Sequence, residues 1–119
     1  MSLTINIYYT GAEGSARAFA EEMVSSGVVA DIRAKGGNLR YEYFFPMDDS
    51  ETVLLIDQWR DQAALDAHHE SDTMLRIAEL RNKYDVHMKV ERFVSDESDA
   101  GADQRYIKTK YPMINFLSD

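Results

Sequence analysis

The sequence predicts an α+β domain with the ferredoxin-like split β-α-β-β-α-β order, which pairs with a second copy of itself. Strand-like and amphipathic helical segments follow one another in that order, and 119 residues fit one domain with one core. The two central strands are apolar on nearly every residue, and such strands bury both faces. A domain of this size has too few helices to cover both faces, so we expect a dimer.

The first strand and the first helical region are both indicated by spacing. Apolar residues alternate within residues 3–9, which predicts a strand. An i, i+3, i+4 pattern then predicts an amphipathic helix, with a kink expected at Gly27, a stripe continuing to Ile32 and an end at Gly36-Gly37. The stripe consists of Ala12, Ala16, Phe19, Ala20, Met23, Val24 and Val28.

Residues 39–47 and 52–59 are predicted to form a hairpin, because a turn-rich connection separates them. Tyr41, Tyr43 and Phe45 share one face of their strand. This aromatic row either lines a cavity for a ring or forms the apolar core of the dimer, and the second interpretation is favoured. The hairpin register is not readable from sequence, so the face that meets the helices stays open.

The remaining elements of the domain follow from caps and alternation. Asp61 and Ser71 are each positioned to cap a short helix. Residues 85–95 predict a fourth strand, because apolar residues at every second position from Val86 alternate with polar residues at every second position from His87.

The chain divides into a ferredoxin-like domain over residues 1–95 and an acidic linker with a C-terminal extension over residues 96–119. The linker is acidic and rich in small residues, and apolar residues return from Tyr106 onward. We expect the extension to pack on the surface, with a course across the partner subunit or over a pocket as the alternative.

Composition excludes several classes of function. The chain has no cysteine, which removes disulfides, thiolate metal sites and cysteine nucleophiles. Its 21 acidic and 13 basic residues give a net charge of −8, which argues against nucleic acid and anionic membranes as partners. No signal-peptide pattern and no membrane-length apolar run is present, so we expect a cytoplasmic protein.

One block of residues resembles the antibiotic biosynthesis monooxygenase family, particularly its quinol monooxygenase members. The matching features are residues 37–41, the Asp57-Gln58-Trp59 motif, Ala64-Leu65, Ala67-His68 and Ser71. The resemblance implies a dimeric α+β barrel whose pockets lie between sheet and helices. It also implies oxidation of hydroquinone- or anthrone-like phenols by O2 without metal or flavin.

The sequence departs from the family pattern at three places. Thr73 stands where many relatives carry a second histidine, and Leu55 stands where the polyketide-oxidising members carry asparagine. No histidine occurs from Ser71 to Tyr84, where heme-degrading relatives place a heme ligand. Heme degradation is therefore not predicted.

Cofactor-free oxygenation needs a base near neutral pH, hydrogen-bond donors and a dry cavity. His68 is the predicted base, and Trp59 is predicted to supply an indole donor and a flat wall. Substrate-binding positions are Tyr41, Tyr43, Leu55 and His87. A helix turns by 100° per residue, so His69 is assigned to solvent or the dimer contact rather than to a metal site with His68.

The sequence therefore predicts a cofactor-independent monooxygenase that oxidises a small hydroquinone- or phenol-type substrate with O2. Neither a cofactor nor a metal is predicted, and the expected partners are a second copy, a small aromatic substrate and O2. Two alternatives stay open: a non-catalytic small-molecule-binding or stress-response dimer, and an isomerase or mutarotase on the same fold.

Overall fold

The computed structural model describes residues 1–98 and 106–107, so most of the predicted linker and extension lies outside the described residues. Eight helices and strands follow one another there, with a short 3-10 turn at Ala12–Gly14 between the first two. Their bounds are β1 Leu3–Thr10, α1 Ser15–Ser25, α2 Val28–Arg33, β2 Asn38–Phe44, β3 Thr52–Trp59, α3 Gln62–His69, α4 Thr73–Tyr84 and β4 His87–Val94.

The four described strands form one antiparallel sheet in the order β2-β3-β1-β4. This order confirms the predicted ferredoxin-like arrangement. Side chains of β1 alternate, so that Leu3, Ile5 and Tyr9 are buried on the face that the helices cover. The opposite face of the sheet is bare in the described part of the chain. Phe44 and Phe93 lie on this bare face and are partly exposed.

The predicted kink at Gly27 is confirmed and divides the first helical region into α1 and α2. Gly27 has a φ of +89°, a left-handed conformation that glycine adopts without steric cost. α2 ends at Arg33, just before Gly36-Gly37. Most of the predicted apolar stripe is buried, including Phe19 and Met23 of α1, which are fully buried. Ala12 and Val24 were wrongly included, because both are exposed.

The register of the hairpin decides which face its aromatic residues occupy. Tyr41 pairs with Asp57, and Tyr43 pairs with Leu55. Leu55 and Asp57 point toward the helices, so both tyrosines share that face, and Tyr41 is buried there. The favoured interpretation as the core of a dimer is therefore wrong for the two tyrosines, because the helices of the same chain pack over them. Phe45 follows the end of β2 and is 48% exposed.

One of the two predicted helix caps is confirmed. Asp61 Oδ1 accepts a hydrogen bond of 2.9 Å from the backbone N–H of Ala64 and caps α3. Ser71 does not cap α4, because its hydroxyl donates instead to the carbonyl of His68 at 2.7 Å. This contact ties the end of α3 to the connection that leads into α4.

Candidate active site

A cavity of about 330 Å³ lies between the helix-covered face of the sheet and the pair α3 and α4. It exists because the helices do not cover β4. Met88 and Val90 point to the same face as Ile5 and Ile7, yet they remain 44% and 53% exposed. Most of the wall is apolar, which suits an aromatic ring. The apolar wall includes Ile5, Ile7, Leu65, Met74, Ile77 and Val90.

The polar groups of this cavity form two sets. The inner end consists of Tyr9, Tyr41, Asp57 and His68, each of them buried. The outer end consists of Arg81 and Arg92, which lie beside the exposed Met88 and Val90 of β4. His69 also lines the cavity, although it is exposed as expected.

Asp57 is the buried carboxylate of the inner end. Its position on β3 follows from alternation, because Leu55 and Trp59 lie two residues away on the same face. Burial raises the pKa of Asp57 to about 7, and the nearby side chains of Trp59 and Asn38 lower that pKa only in part. Asp57 Oδ1 has no hydrogen-bond partner among the described residues. Asp57 can therefore exchange a proton with a bound molecule near neutral pH.

His68 faces Asp57's cavity from the last turn of α3. Its ring stacks on the indole of Trp59, with 4.8 Å between centroids and 24° between planes. Burial is the main cause that lowers the pKa of His68 to about 4, with smaller contributions from the neighbouring Lys35 and His69. The imidazole is thus neutral at pH 7. Its Nδ1 has no hydrogen-bond partner within the part of the chain that the structure describes.

Two tyrosine hydroxyls complete the inner end. Burial raises the pKa of Tyr9 to about 12 and raises that of Tyr41 well above the usual value. Both hydroxyls therefore stay protonated at neutral pH and can donate hydrogen bonds. The ring of Tyr9 is held by Phe19, at a centroid distance of 4.8 Å.

The structure brings His68 and Tyr41 of the predicted site to the cavity but places the other predicted residues elsewhere. Trp59 is fully buried behind His68, and Leu55 lies in the core. Tyr43 faces a second, shallower groove beside α1. His87 is on the bare face of the sheet, 3.6 Å from Asp85.

Sequence reasoning missed the roles of Asp57, Tyr9, Arg81 and Arg92. A signal existed for Asp57, because a carboxylate alternating with Leu55 and Trp59 on an apolar strand must be buried with them. For Arg81 and Arg92 the spacing gave no comparable signal, since charged residues at the end of a helix or on an outer strand usually face solvent.

The described residues contain neither a metal-binding cluster nor a helix of membrane-spanning length. Among residues 1–98 and 106–107, no three His, Cys, Asp or Glu residues lie close enough together to hold a metal ion. In the same part of the chain, no helix has the length and apolar content that crossing a membrane requires.

The family model described as "Antibiotic biosynthesis monooxygenase" matches residues 2–80. The chain belongs to the antibiotic biosynthesis monooxygenase family. A curated relative, the protein named "Putative monooxygenase YcnE" from Bacillus subtilis (strain 168), is 32% identical over 53 residues. That stretch covers 43% of this chain and 56% of the relative, so the match spans little more than half of the relative's length.

Solved structures show the same fold over most of the chain. PA3566 from Pseudomonas aeruginosa is 30% identical with a TM-score of 0.67, over 80% of this chain and 94% of that one. SnoaB from Streptomyces nogalater, described as a cofactor-independent oxygenase, is 16% identical with a TM-score of 0.68. The match covers 83% of this chain and 97% of SnoaB. At that identity, the second likeness concerns the fold alone.

Proposed function

We propose that this chain is a cofactor-independent monooxygenase, a cytoplasmic homodimer that oxidises a small hydroquinone- or phenol-type substrate with O2. The observation that carries the proposal is the inner end of the cavity. There, a carboxylate with a pKa of about 7 and an unpartnered oxygen lies among apolar walls and two tyrosine hydroxyls. This is the set of groups that proton removal from a phenol requires.

Proton transfer is the first step of the proposed reaction. The ionised carboxylate of Asp57 takes the phenolic proton, and the resulting phenolate is much easier to oxidise than the phenol. Asp57 suits this role better than His68, because a base works best when its pKa lies near the working pH. We therefore propose Asp57 as the base, in place of His68, which was predicted from the sequence. Neutral His68 and Tyr41 are left to hydrogen-bond the substrate oxygens.

Oxygen then enters the ring in a balanced sequence of steps. The phenolate gives one electron to O2, and the two radicals combine to form a carbon–oxygen bond and a peroxide anion, which takes the proton held by Asp57 and becomes a hydroperoxide. The ring carbon then loses its hydrogen as a proton while the O–O bond breaks, so that the C–H electron pair forms a carbonyl with the proximal oxygen, and the distal hydroxide leaves with that proton as water. A hydroquinone and one O2 thereby yield a hydroxyquinone and one water. Because Asp57 passes the phenolic proton to the peroxide, the carboxylate is ionised again at the end.

Trp59 supports this site without lining the cavity. Its indole packs on the ring of His68 and fixes the plane of the imidazole. We therefore assign Trp59 as a positioning residue, and we expect its replacement by phenylalanine to lower activity less than changes at Asp57 or His68.

Oxygen uptake by purified, metal-free protein tests the function. A panel of reduced quinones is used, with superoxide dismutase and catalase present to suppress autoxidation. We expect uptake to fall by about 10²- to 10⁴-fold in Asp57→Asn and strongly in His68→Ala, because both remove a group that contacts substrate. Asp48→Asn, a change at an exposed turn residue, is the matched control and should keep full uptake.

The pH dependence sharpens the same test. Because Asp57 must be ionised to accept the proton, uptake should rise as the pH increases through about 7. Uptake that survives Asp57→Asn would remove Asp57 from the mechanism. No uptake across the whole panel would reject the monooxygenase in favour of the ligand-binding alternative.

The isomerase alternative is favoured by the same proton-transfer groups, because moving a proton within a substrate requires no oxygen. Turnover that continues at full rate under argon would support it and reject oxygenation.

The proposed dimer rests on the bare face of the sheet. Leu54 and Ile56 of β3 point to this face and are only half-buried by their own chain. Lys89 and Glu91 of β4 flank them with charges of both signs. A second copy would cover this apolar strip and leave the charges at its rim. Sedimentation at micromolar concentration should give a dimer, and a stable monomer would contradict it.

A further inference from the structure

Two arginines at the outer end of the cavity have partners unlike those of the other arginines. Of the seven arginines in residues 1–98, five bond a carboxylate or a backbone carbonyl. Arg81 and Arg92 do not. Arg81 Nη1 lies 3.1 Å from the thioether sulfur of Met88, and Arg92 Nη2 donates to the side-chain oxygen of Gln62.

This lack of ionic partners is notable in a chain with 21 acidic residues. Four ion pairs between Lys or Arg and a carboxylate form elsewhere in the described residues, including Arg76 with Asp31 at 2.6 Å. Asp57 is the carboxylate that lines the same cavity, and it forms no ion pair with either arginine in the structure. The outer end thus presents two guanidinium groups whose neutral partners leave their charge uncompensated.

Both guanidinium groups line the same cavity as the inner end. Arg92 pairs across the sheet with Ile5, and Ile5 pairs with Asp57, so the three residues form one row on the floor of the cavity. Arg81 projects from the last turns of α4, and its charge is close enough to Tyr9 to lower the pKa of that hydroxyl in part. A ring lying between the two ends would have its hydroxyl near Asp57 and its far substituent near the arginines.

We propose that the substrate carries a carboxylate, which Arg81 and Arg92 bind while the phenolic hydroxyl lies at Asp57 and His68. Guanidinium groups match the planar geometry of a carboxylate and form strong, charge-assisted hydrogen bonds with it. Because Met88 and Gln62 are neutral, the anion would displace weak contacts rather than compete with an ion pair. This inference deepens the proposed function and rests on it for the phenol-type ring.

Calorimetric titration under anaerobic conditions tests the inference without turnover. The probes are 2,5-dihydroxybenzoate and its neutral analogue 2,5-dihydroxybenzamide, which differ at the proposed anionic substituent alone. We expect wild-type protein to bind the acid about ten-fold more tightly than the amide, since a hydrogen bond to a charged group contributes at least that much. Arg81→Gln and Arg92→Gln should each weaken acid binding and leave amide binding nearly unchanged.

Arg76→Gln is the matched control, because Arg76 lies on the same helix as Arg81 but bonds Asp31 outside the cavity. It should keep the full preference for the acid. Circular dichroism of each variant checks that the fold is intact. Equal affinity for acid and amide in wild type, no saturable binding of the acid at millimolar concentration, or a preference that survives both arginine changes would overturn the inference.

The binding result and the oxygen-uptake result separate the two proposals. Selective binding of the acid without oxygen uptake would support the anion site and reject the oxygenase. Uptake with neutral hydroquinones, together with equal binding of acid and amide, would support the oxygenase and reject the anion site.

Discussion

The two ends of the cavity use charge in opposite ways. At the inner end, burial makes the ionised forms of Asp57 and His68 unfavourable. It therefore raises the pKa of Asp57 and lowers the pKa of His68, which favours the neutral form of each group. At the outer end, Arg92 is exposed and Arg81 half-buried, so both keep their charge in contact with water. This difference is the basis of the proposed division of roles, with proton exchange at the buried end and ligand attraction at the open end.

Burial of ionisable groups lowers the stability of the folded protein at the inner end but not at the outer end. A buried ionisable group lowers the stability of the folded protein wherever the unfolded chain would be charged at that position. The two ends should therefore respond differently to pH and to substitution.

The largest expected effect concerns the pH dependence of stability at Asp57 and His68. The folded pKa of Asp57 is raised, so the unfolded chain loses this proton first as pH rises from about 4 to 7. Asp57 thus lowers the free energy of unfolding across that window, by up to about 4 kcal/mol at pH 8. The folded pKa of His68 is lowered, so the unfolded chain binds that proton first as pH falls from 6.5 to about 4. His68 therefore lowers stability at the acidic end.

Urea unfolding of Asp57→Asn and His68→Asn between pH 4 and 8 measures both contributions. Relative to wild type, Asp57→Asn should gain stability as pH rises. His68→Asn should gain stability as pH falls, by a smaller amount. Parallel curves of unfolding free energy against pH for wild type and both variants would show that folding does not shift the pKa of either group.

The order of the strands and the faces of the helices were predictable from the sequence because they depend on local periodicity. The kink at Gly27 and the cap at Asp61 followed from single residues with strong conformational preferences. Ser71 was misjudged because a serine hydroxyl can bond a preceding carbonyl as readily as a following N–H, and spacing does not distinguish these.

The cavity was less predictable because it depends on which strands the helices leave uncovered. That property arises from the register of β2 on β3 and from the position of β4 at the edge of the sheet. Tyr41 lies at the cavity, the position given by the less favoured interpretation of the aromatic row, whereas packing places Leu55 in the core and strand alternation places His87 on the opposite face. Pairwise registers of this kind are not encoded in any single segment.

A second, intermediate effect tests how the inner end is held in place. Gly37 has a φ of +91°, and a methyl group there would lie 2.5 Å from Cβ of Ala64 in α3, the helix that carries His68. Gly37→Ala should therefore lower the free energy of unfolding by about 1–3 kcal/mol. Gly36→Ala is the matched control, since nothing lies within 4 Å of its added carbon and its φ is ordinary. Thermal unfolding should separate the two, and equal stabilities would show that α3 tolerates displacement.

The smallest expected effect on stability belongs to the outer end. Arg81→Gln and Arg92→Gln remove charges that have no ionic partner among the described residues, so we expect each to change the free energy of unfolding by less than about 0.5 kcal/mol. Urea unfolding of these variants at pH 7 provides the measurement. A loss comparable to that of Gly37→Ala would mean that the arginines stabilise the fold, and their lack of ionic partners would no longer point to a ligand. Unchanged stability, together with the expected loss of acid binding, would instead show that the protein keeps these two charges for a bound anion.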